Sequence, residues 1–204
     1  MKRALKGSAM LGPLPPAMVT VKSGEKVNII TVAWTGMINT RPPKTYVSIR
    51  PSRYSYNIIK ESGEFVINIT PTSLVKAADF CGTYTGAKVD KFKECSLTAE
   101  KASVVNVPTI AESPISLECK VTDEIPLGSH CMFLADVVAV DVAEELFDVN
   151  DRIIMEKADP TAFMHGAYYS LGKKINNIGC GIKKKGKTPP KDAKKDPEKR
   201  TKKR

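Results

Sequence analysis

The chain has 204 residues, 42% of them hydrophobic, and a formal net charge of +10, a length that supports one domain burying roughly 70% of its unfolded surface. Twelve of the 32 Lys/Arg but only three of the 22 Asp/Glu fall in residues 183–204, so the rest of the chain is nearly neutral. That placement disfavours a folded nucleic-acid surface, which would carry its positive charge on the domain itself.

In chain order, residues 17–22 and 27–35 are rich in β-branched side chains and separated by SGEK, which predicts a hairpin. After the Pro42-Pro43 turn, residues 45–50 alternate as a third strand. Ser52 is expected to cap a helix over 53–62 that Gly63 stops. Residues 64–69 read as a fourth strand. Ser73 is expected to cap a short second helix reaching Cys81 and closed by Gly82. Residues 83–114 are loop-rich. Two long β runs, 116–124 and 131–142, flank a turn at 125–130, and 148–156 adds a short strand. The chain then leaves the fold over 171–181. Strands in hairpin order, without a βαβ alternation or a GxGxxG turn, disfavour a doubly wound sheet and predict a mainly β, closed or partly closed antiparallel barrel with a few short helices.

Residues 183–204 contain no aromatic side chain and almost nothing apolar, so they read as a disordered, solubilising tail with at most weak contacts to polyanions, after a folded domain over 1–182. The five cysteines form no CxxC, and with only His130 and His165 available they match no zinc spacing. Neither a signal peptide nor an apolar run of about 18 residues is present. The expectation is a soluble cytoplasmic protein with reduced thiols and no metal.

The densest chemistry lies in residues 28–57. Ser48, Arg50, Ser52, Arg53 and Ser55 crowd hydroxyls and guanidinium groups at a predicted helix start, where unpaired N–H groups and the helix dipole favour an anion. Ser48 and Arg50 share a face if 45–50 is a strand; the plain alternative is a capped helix with two solvated arginines. Trp34, the single tryptophan, is either a core side chain or a platform for a flat ring. Thr31 and Thr35 flank it, and Gly36 allows close approach. Phosphate plus flat ring points to a nucleotide or a flavin. Lys91 in VDKF reads either as a solvated lysine beside Asp90 or as a ligand contact. His165 reads either as structural or as a gate or proton donor. With two histidines, a hydrolase triad has no recognisable spacing.

NIITVAWTG (28–36), the Pro42-Pro43 turn, VSIRPSRYSYNIIKESGEFVINI (47–69), TGAKVDKF (85–92) and HGAYYSLG (165–172) together resemble the flavin reductase-like family, flavoredoxins most closely, over about residues 10–175. The resemblance implies an FMN-binding split β-barrel acting as a homodimer, with the flavin near the subunit interface. It implies that Thr31, Val32, Ala33, Trp34 and Thr35 line the isoalloxazine ring. Ser48, Arg50, Arg53 and Ser55 would hold the ribityl phosphate, with Ile49 also in the cofactor site, Tyr54 packed nearby and Lys91 close to the flavin or its phosphate. His165, the catalytic candidate, and Tyr168 would face the substrate. The stretch TYTG at 83–86 departs from the Ser-Gly pair of relatives, so that turn is assigned no contact. The implied activity is hydride transfer from NADH or NADPH to flavin and on to free flavin, a metal chelate or a protein. Two alternatives are a flavoredoxin-type carrier reduced by a protein partner and a non-catalytic binding module with a basic tail.

Overall fold

In a computed structural model that describes residues 1–182, the first hairpin forms where the β-branched runs predict it; the basic run 183–204 lies outside the described residues. Strand β1 (Ala17–Ser23) pairs with β2 (Lys26–Val32) across a two-residue turn in which Gly24 takes a φ of +55°, a conformation that suits glycine. The second β run does not continue to Thr35 as expected. Ala33 and Trp34 leave the ladder, and Thr35 opens a new strand, β3 (Thr35–Thr40), which pairs with β4 (Pro43–Ile49).

Helix α1 (Tyr54–Ser62) ends as predicted at Gly63, whose φ of +67° lets its N–H reach Ile59 O. Its start differs from expectation: the N-cap is Arg53, not Ser52, and no side chain caps it. Strand β5 (Glu64–Ile69) follows. Ser73 lies in a 3₁₀ turn, Thr72–Leu74, so α2 (Val75–Thr83) begins later than predicted and runs through Gly82. Gly82 is an interior helix residue because α2 packs tightly on β2: a Cβ there would lie 3.3 Å from Thr31 Cβ. Helix α3 (Lys91–Glu94) is a single turn, followed by β6 (Ala99–Glu100), β7 (Thr109–Ile110), β8 (Ile115–Pro126), β9 (Cys131–Val142), and the hairpin β10 (Thr161–Met164) and β11 (Ala167–Ser170). Residues 148–156 form no strand beyond a single Phe147–Ile153 bridge. The Asp148 carboxylate accepts from Asn150 N (2.8 Å) and Arg152 N (3.0 Å), and this local turn displaces strand pairing.

Seven strands form one antiparallel sheet in the order β2-β1-β5-β8-β9-β4-β3. The outermost two, β2 and β3, are joined only by Ala33 and Trp34. In a flat sheet they would stand roughly 29 Å apart, far beyond the reach of so short a link. The sheet must therefore curl until β2 comes round to touch β4, and Ser48 N donates to Trp34 O at 2.9 Å, which carries the β3–β4 register one residue further into the link. This is the partly closed barrel that the sequence predicts.

Burial follows the curl. β1 is covered on both faces: Val19 and Val21 point into the barrel with Val47, Phe65 and Phe133, while Met18 packs outward with Ile29 against Ala78 and Cys81 of α2. Ile58 and Ile59 of α1 join the barrel core, each contributing roughly 1.5–3 kcal/mol by burial. They fix the helix with its first turn beside β2 and β4. Among the described residues no helix is long and apolar enough to cross a membrane. Residues 172–182 belong to a separate unit whose described part is a turn closed by Cys180 N to Asn177 O at 3.2 Å.

Candidate functional site

Where β2 comes round to β4, a cleft of about 390 Å³ opens, within the range of small-molecule sites. Thr31, Val32, Ala33 and Trp34 line one side, Ser48, Ile49 and Arg50 the other, and Arg53 and His130 complete it. Trp34 is 39% exposed, which overturns its reading as a core side chain. It sits in the link between strands, outside the alternation that turns side chains inward. Val32 and Ile49 belong to the barrel core and close the cleft from inside.

Ile30 and Arg53 are shared with a second pocket of about 90 Å³ at the start of α1, room for roughly three waters. Ser52, Arg53, Tyr54 and Ser55 meet Asn28 of β2, Cys81 of α2, and Thr85, Gly86 and Lys91 from the segment after α2. Two buried side chains tie the strand to the helix: Asn28 Nδ2 donates to Ser55 Oγ at 2.8 Å. Gly86 approaches this pair so closely that a Cβ would lie 2.1 Å from Asn28 Oδ1. The lack of a side-chain cap on α1 leaves first-turn N–H groups to an anion in this pocket, apart from that of Tyr56, which donates to Arg53 O at 3.0 Å.

Lys91 is not solvated. It is 4% exposed, and Nζ donates to Ile29 O and Cys81 O, both at 2.6 Å. Burial holds its pKa below the ordinary lysine range, and the nearby Arg53 pushes the same way. Burial pushes the Cys81 thiol up to about 12. His130 also titrates below its usual value, chiefly through burial and then through Arg50 and Arg53; its Nδ1 lies 2.9 Å from Ser129 Oγ.

A family model described as the flavin reductase like domain matches residues 11–172. The chain belongs to the flavin reductase-like family. An uncharacterized protein of Archaeoglobus fulgidus is 34% identical over 139 residues, 66% of this chain and 78% of that one. The NADPH-flavin oxidoreductase of Streptomyces viridifaciens is 27% identical over 138 residues, 67% of this chain and 70% of its own. Among solved structures, the flavoredoxin of Desulfovibrio vulgaris (Miyazaki F) superposes with a TM-score of 0.83 at 29% identity, covering 89% of this chain and 99% of that one. Membership of the flavin reductase-like family brings a flavin-linked redox role.

In this flavin reductase-like barrel the predicted residues divide. Thr31 to Trp34, Ser48 to Arg50, Arg53, Tyr54, Ser55 and Lys91 gather at the two neighbouring cavities. The Thr31 hydroxyl is already engaged with Ala78 O at 2.5 Å. Thr35 is buried with Oγ1 donating to Tyr46 O at 2.6 Å, and it lines neither cavity. Tyr168 also stands apart, its OH donating to Asp79 Oδ1 at 3.3 Å; burial and then Asp79 push its pKa up to about 12. His165 occupies the β10–β11 turn with φ +50° and is exposed. Sequence reasoning missed Asn28, Gly86 and His130 and assigned Thr85-Gly86 no contact. Their signals were present: Asn28 opens NIITVAWTG, Gly86 stands in TGAKVDKF, and His130 ends the turn between the two longest strands.

Proposed function

We propose that this protein is an FMN-dependent oxidoreductase, with the phosphate in the small polar pocket and the ring in the adjoining cleft. The adjacency of the two cavities, both lined by Ile30 and Arg53, carries this reading. The donor set suits a dianion: Arg53, the hydroxyls of Ser52 and Ser55, the uncapped first turn of α1, and the ammonium of Lys91. Hydrogen bonds to charged groups contribute about 1.5–3 kcal/mol each, against about 0.5–1.5 kcal/mol for stacking on Trp34. Phosphate recognition therefore dominates affinity and separates FMN from riboflavin.

When bound, FMN supplies the redox chemistry, accepting hydride from NADH or NADPH. The protein supplies position. Main-chain groups of Thr31 to Trp34 read the ring edge, Trp34 covers a flat face, and the barrel core beneath Val32 and Ile49 keeps water from that side. His165 and Tyr168, which line neither cavity, enter the proposal through a homodimer with the flavin near the interface. A flavoredoxin-type carrier, reduced by a protein rather than by nicotinamide, is favoured by the near-complete overlap with the Desulfovibrio flavoredoxin.

Anaerobic stopped-flow separates the readings. Yellow protein that NADH or NADPH bleaches supports the reductase. Yellow protein bleached only by a reduced redox protein supports the carrier. Protein that stays colourless and ignores added FMN removes both.

A further inference from the structure

Lys91 brings a basic group into a place that offers it no countercharge. Its two partners, Ile29 O and Cys81 O, are neutral carbonyls. A neutral amine has two N–H bonds and satisfies both of them; the third N–H of an ammonium gains a partner only from something in the pocket that Lys91 lines. The charged and titratable groups near it from neighbouring elements are Arg53 before α1, Cys81 in α2 and Cys95 after α3, and the phenols of Tyr54 and Tyr84 line the same pocket. Arg53 repels an ammonium. Burial raises the pKa of both thiols, so they stay neutral. On its own turn, the Asp90 carboxylate is exposed and accepts from Lys93 N at 3.2 Å, and Lys93 and Glu94 are exposed. None of the ion pairs among the described residues involves Lys91.

We propose that binding of a phosphorylated ligand in this pocket is coupled to uptake of a proton by Lys91, whose amine has two neutral carbonyl partners and no countercharge in the ligand-free chain. This rests on the reading of the pocket as an FMN phosphate site. The physical cause is the change of company. Without ligand, burial and Arg53 disfavour the charge; a phosphate dianion beside Nζ favours it and occupies the third N–H. The proton comes from the buffer and ends on Nζ, and no bond of the ligand is broken. By linkage, affinity for the phosphorylated ligand weakens as pH rises, by at most about tenfold per pH unit for one proton.

Calorimetric titration of the full chain with FMN, in two buffers of different ionisation enthalpy, measures the uptake directly. A pH series from about 8 to 9 keeps the phosphate dianionic throughout, since its second pKa is about 6. The expected result is a buffer-dependent heat for FMN that grows with pH toward about one proton per ligand. It should be absent for riboflavin, which has the same ring without the phosphate. Lys91→Arg, whose guanidinium cannot be deprotonated, should bind FMN with buffer-independent heat. Equal heats for wild-type chain in both buffers across the series, or the same uptake for riboflavin, overturn the coupling while FMN still binds. Undiminished uptake in Lys91→Arg overturns it as well. Where Lys91→Arg does not fold, the wild-type difference between FMN and riboflavin decides. No FMN heat under any condition overturns the FMN reading, a distinct result that removes this inference with it.

Discussion

Gly86→Ala is the sharpest test of how the polar pocket is built. The added methyl would lie 2.1 Å from Asn28 Oδ1 and 2.4 Å from its Cγ, so Asn28 or the segment carrying residue 86 must move. Asn28 is 4% exposed and Ser55 0% exposed, and they are joined by a 2.8 Å hydrogen bond. Displacing Asn28 leaves a buried donor and a buried hydroxyl unpartnered, a cost of about 1–3 kcal/mol. Taking about 2 kcal/mol, the melting temperature should fall by roughly 4–8 °C for a chain of this size. FMN affinity, read by flavin fluorescence, should fall at least tenfold, because the same movement shifts Ser55 and the pocket wall. Asn28→Ala in the Gly86→Ala background removes the obstacle, so the double variant should melt close to Asn28→Ala alone rather than at the sum of both losses. Wild-type stability and affinity in Gly86→Ala, or strictly additive losses in the pair, would refute the close-approach reasoning.

Arg53→Ala should weaken FMN roughly ten- to a hundred-fold, the loss of one charge-assisted contact, and leave riboflavin unchanged in the same titration. Unchanged FMN affinity removes Arg53 from the site. Trp34→Ala should lower FMN affinity by about two- to ten-fold with a melting temperature close to wild type, since the ring is not part of the core; a large thermal loss would return Trp34 to a packing role. A third effect concerns acid. Glu118 is fully buried, and burial opposes its charge, but Ser103, Val104 and Val105 donate to its carboxylate and hold its pKa at about 2. A depressed folded-state value means stability that is present above the unfolded value of about 4.5 and lost as pH falls from there toward 2, at most about 3 kcal/mol. Asp141 beside it, raised by burial and by Glu118, offsets part of this. Urea unfolding at pH 5, 4 and 3 should show a steeper acid loss for wild type than for Glu118→Gln; equal slopes would refute the assignment.

What the sequence made legible was set by local pattern. The strands at β1, β4, β5, β8 and β9 stand where β-branched or alternating runs lie, and Gly63 ends α1 because no other residue adopts its left-handed turn as cheaply. The break at Ala33-Trp34 left no trace in composition, because it is imposed by strands at opposite sheet edges meeting. β3, TGMINT, is an edge strand with four of its six residues exposed, so it carries no alternation to read. At the site, the arginines, serines and Trp34 were visible as crowding along one segment. For Lys91 the residues alone left two readings open, a solvated lysine or a ligand contact, for the opposite reason. The carbonyls that hold it come from Ile29 and Cys81, 62 and 10 residues away, and only the packing of α2 and α3 on β2 brings them together. Thr35, Tyr168 and His165 show the converse, residues close in motif to the site that the fold directs elsewhere.

The two-residue link between the outer strands gives the barrel a seam, and the cleft lies along it. Anything held there touches both sides of the join, so it acts as a latch on the breathing of the sheet as well as a bound molecule. Amide hydrogen exchange at Ser48, whose N–H ends the β3–β4 ladder at Trp34 O beside the cleft, should therefore slow on ligand binding more than exchange at amides in the middle of β1.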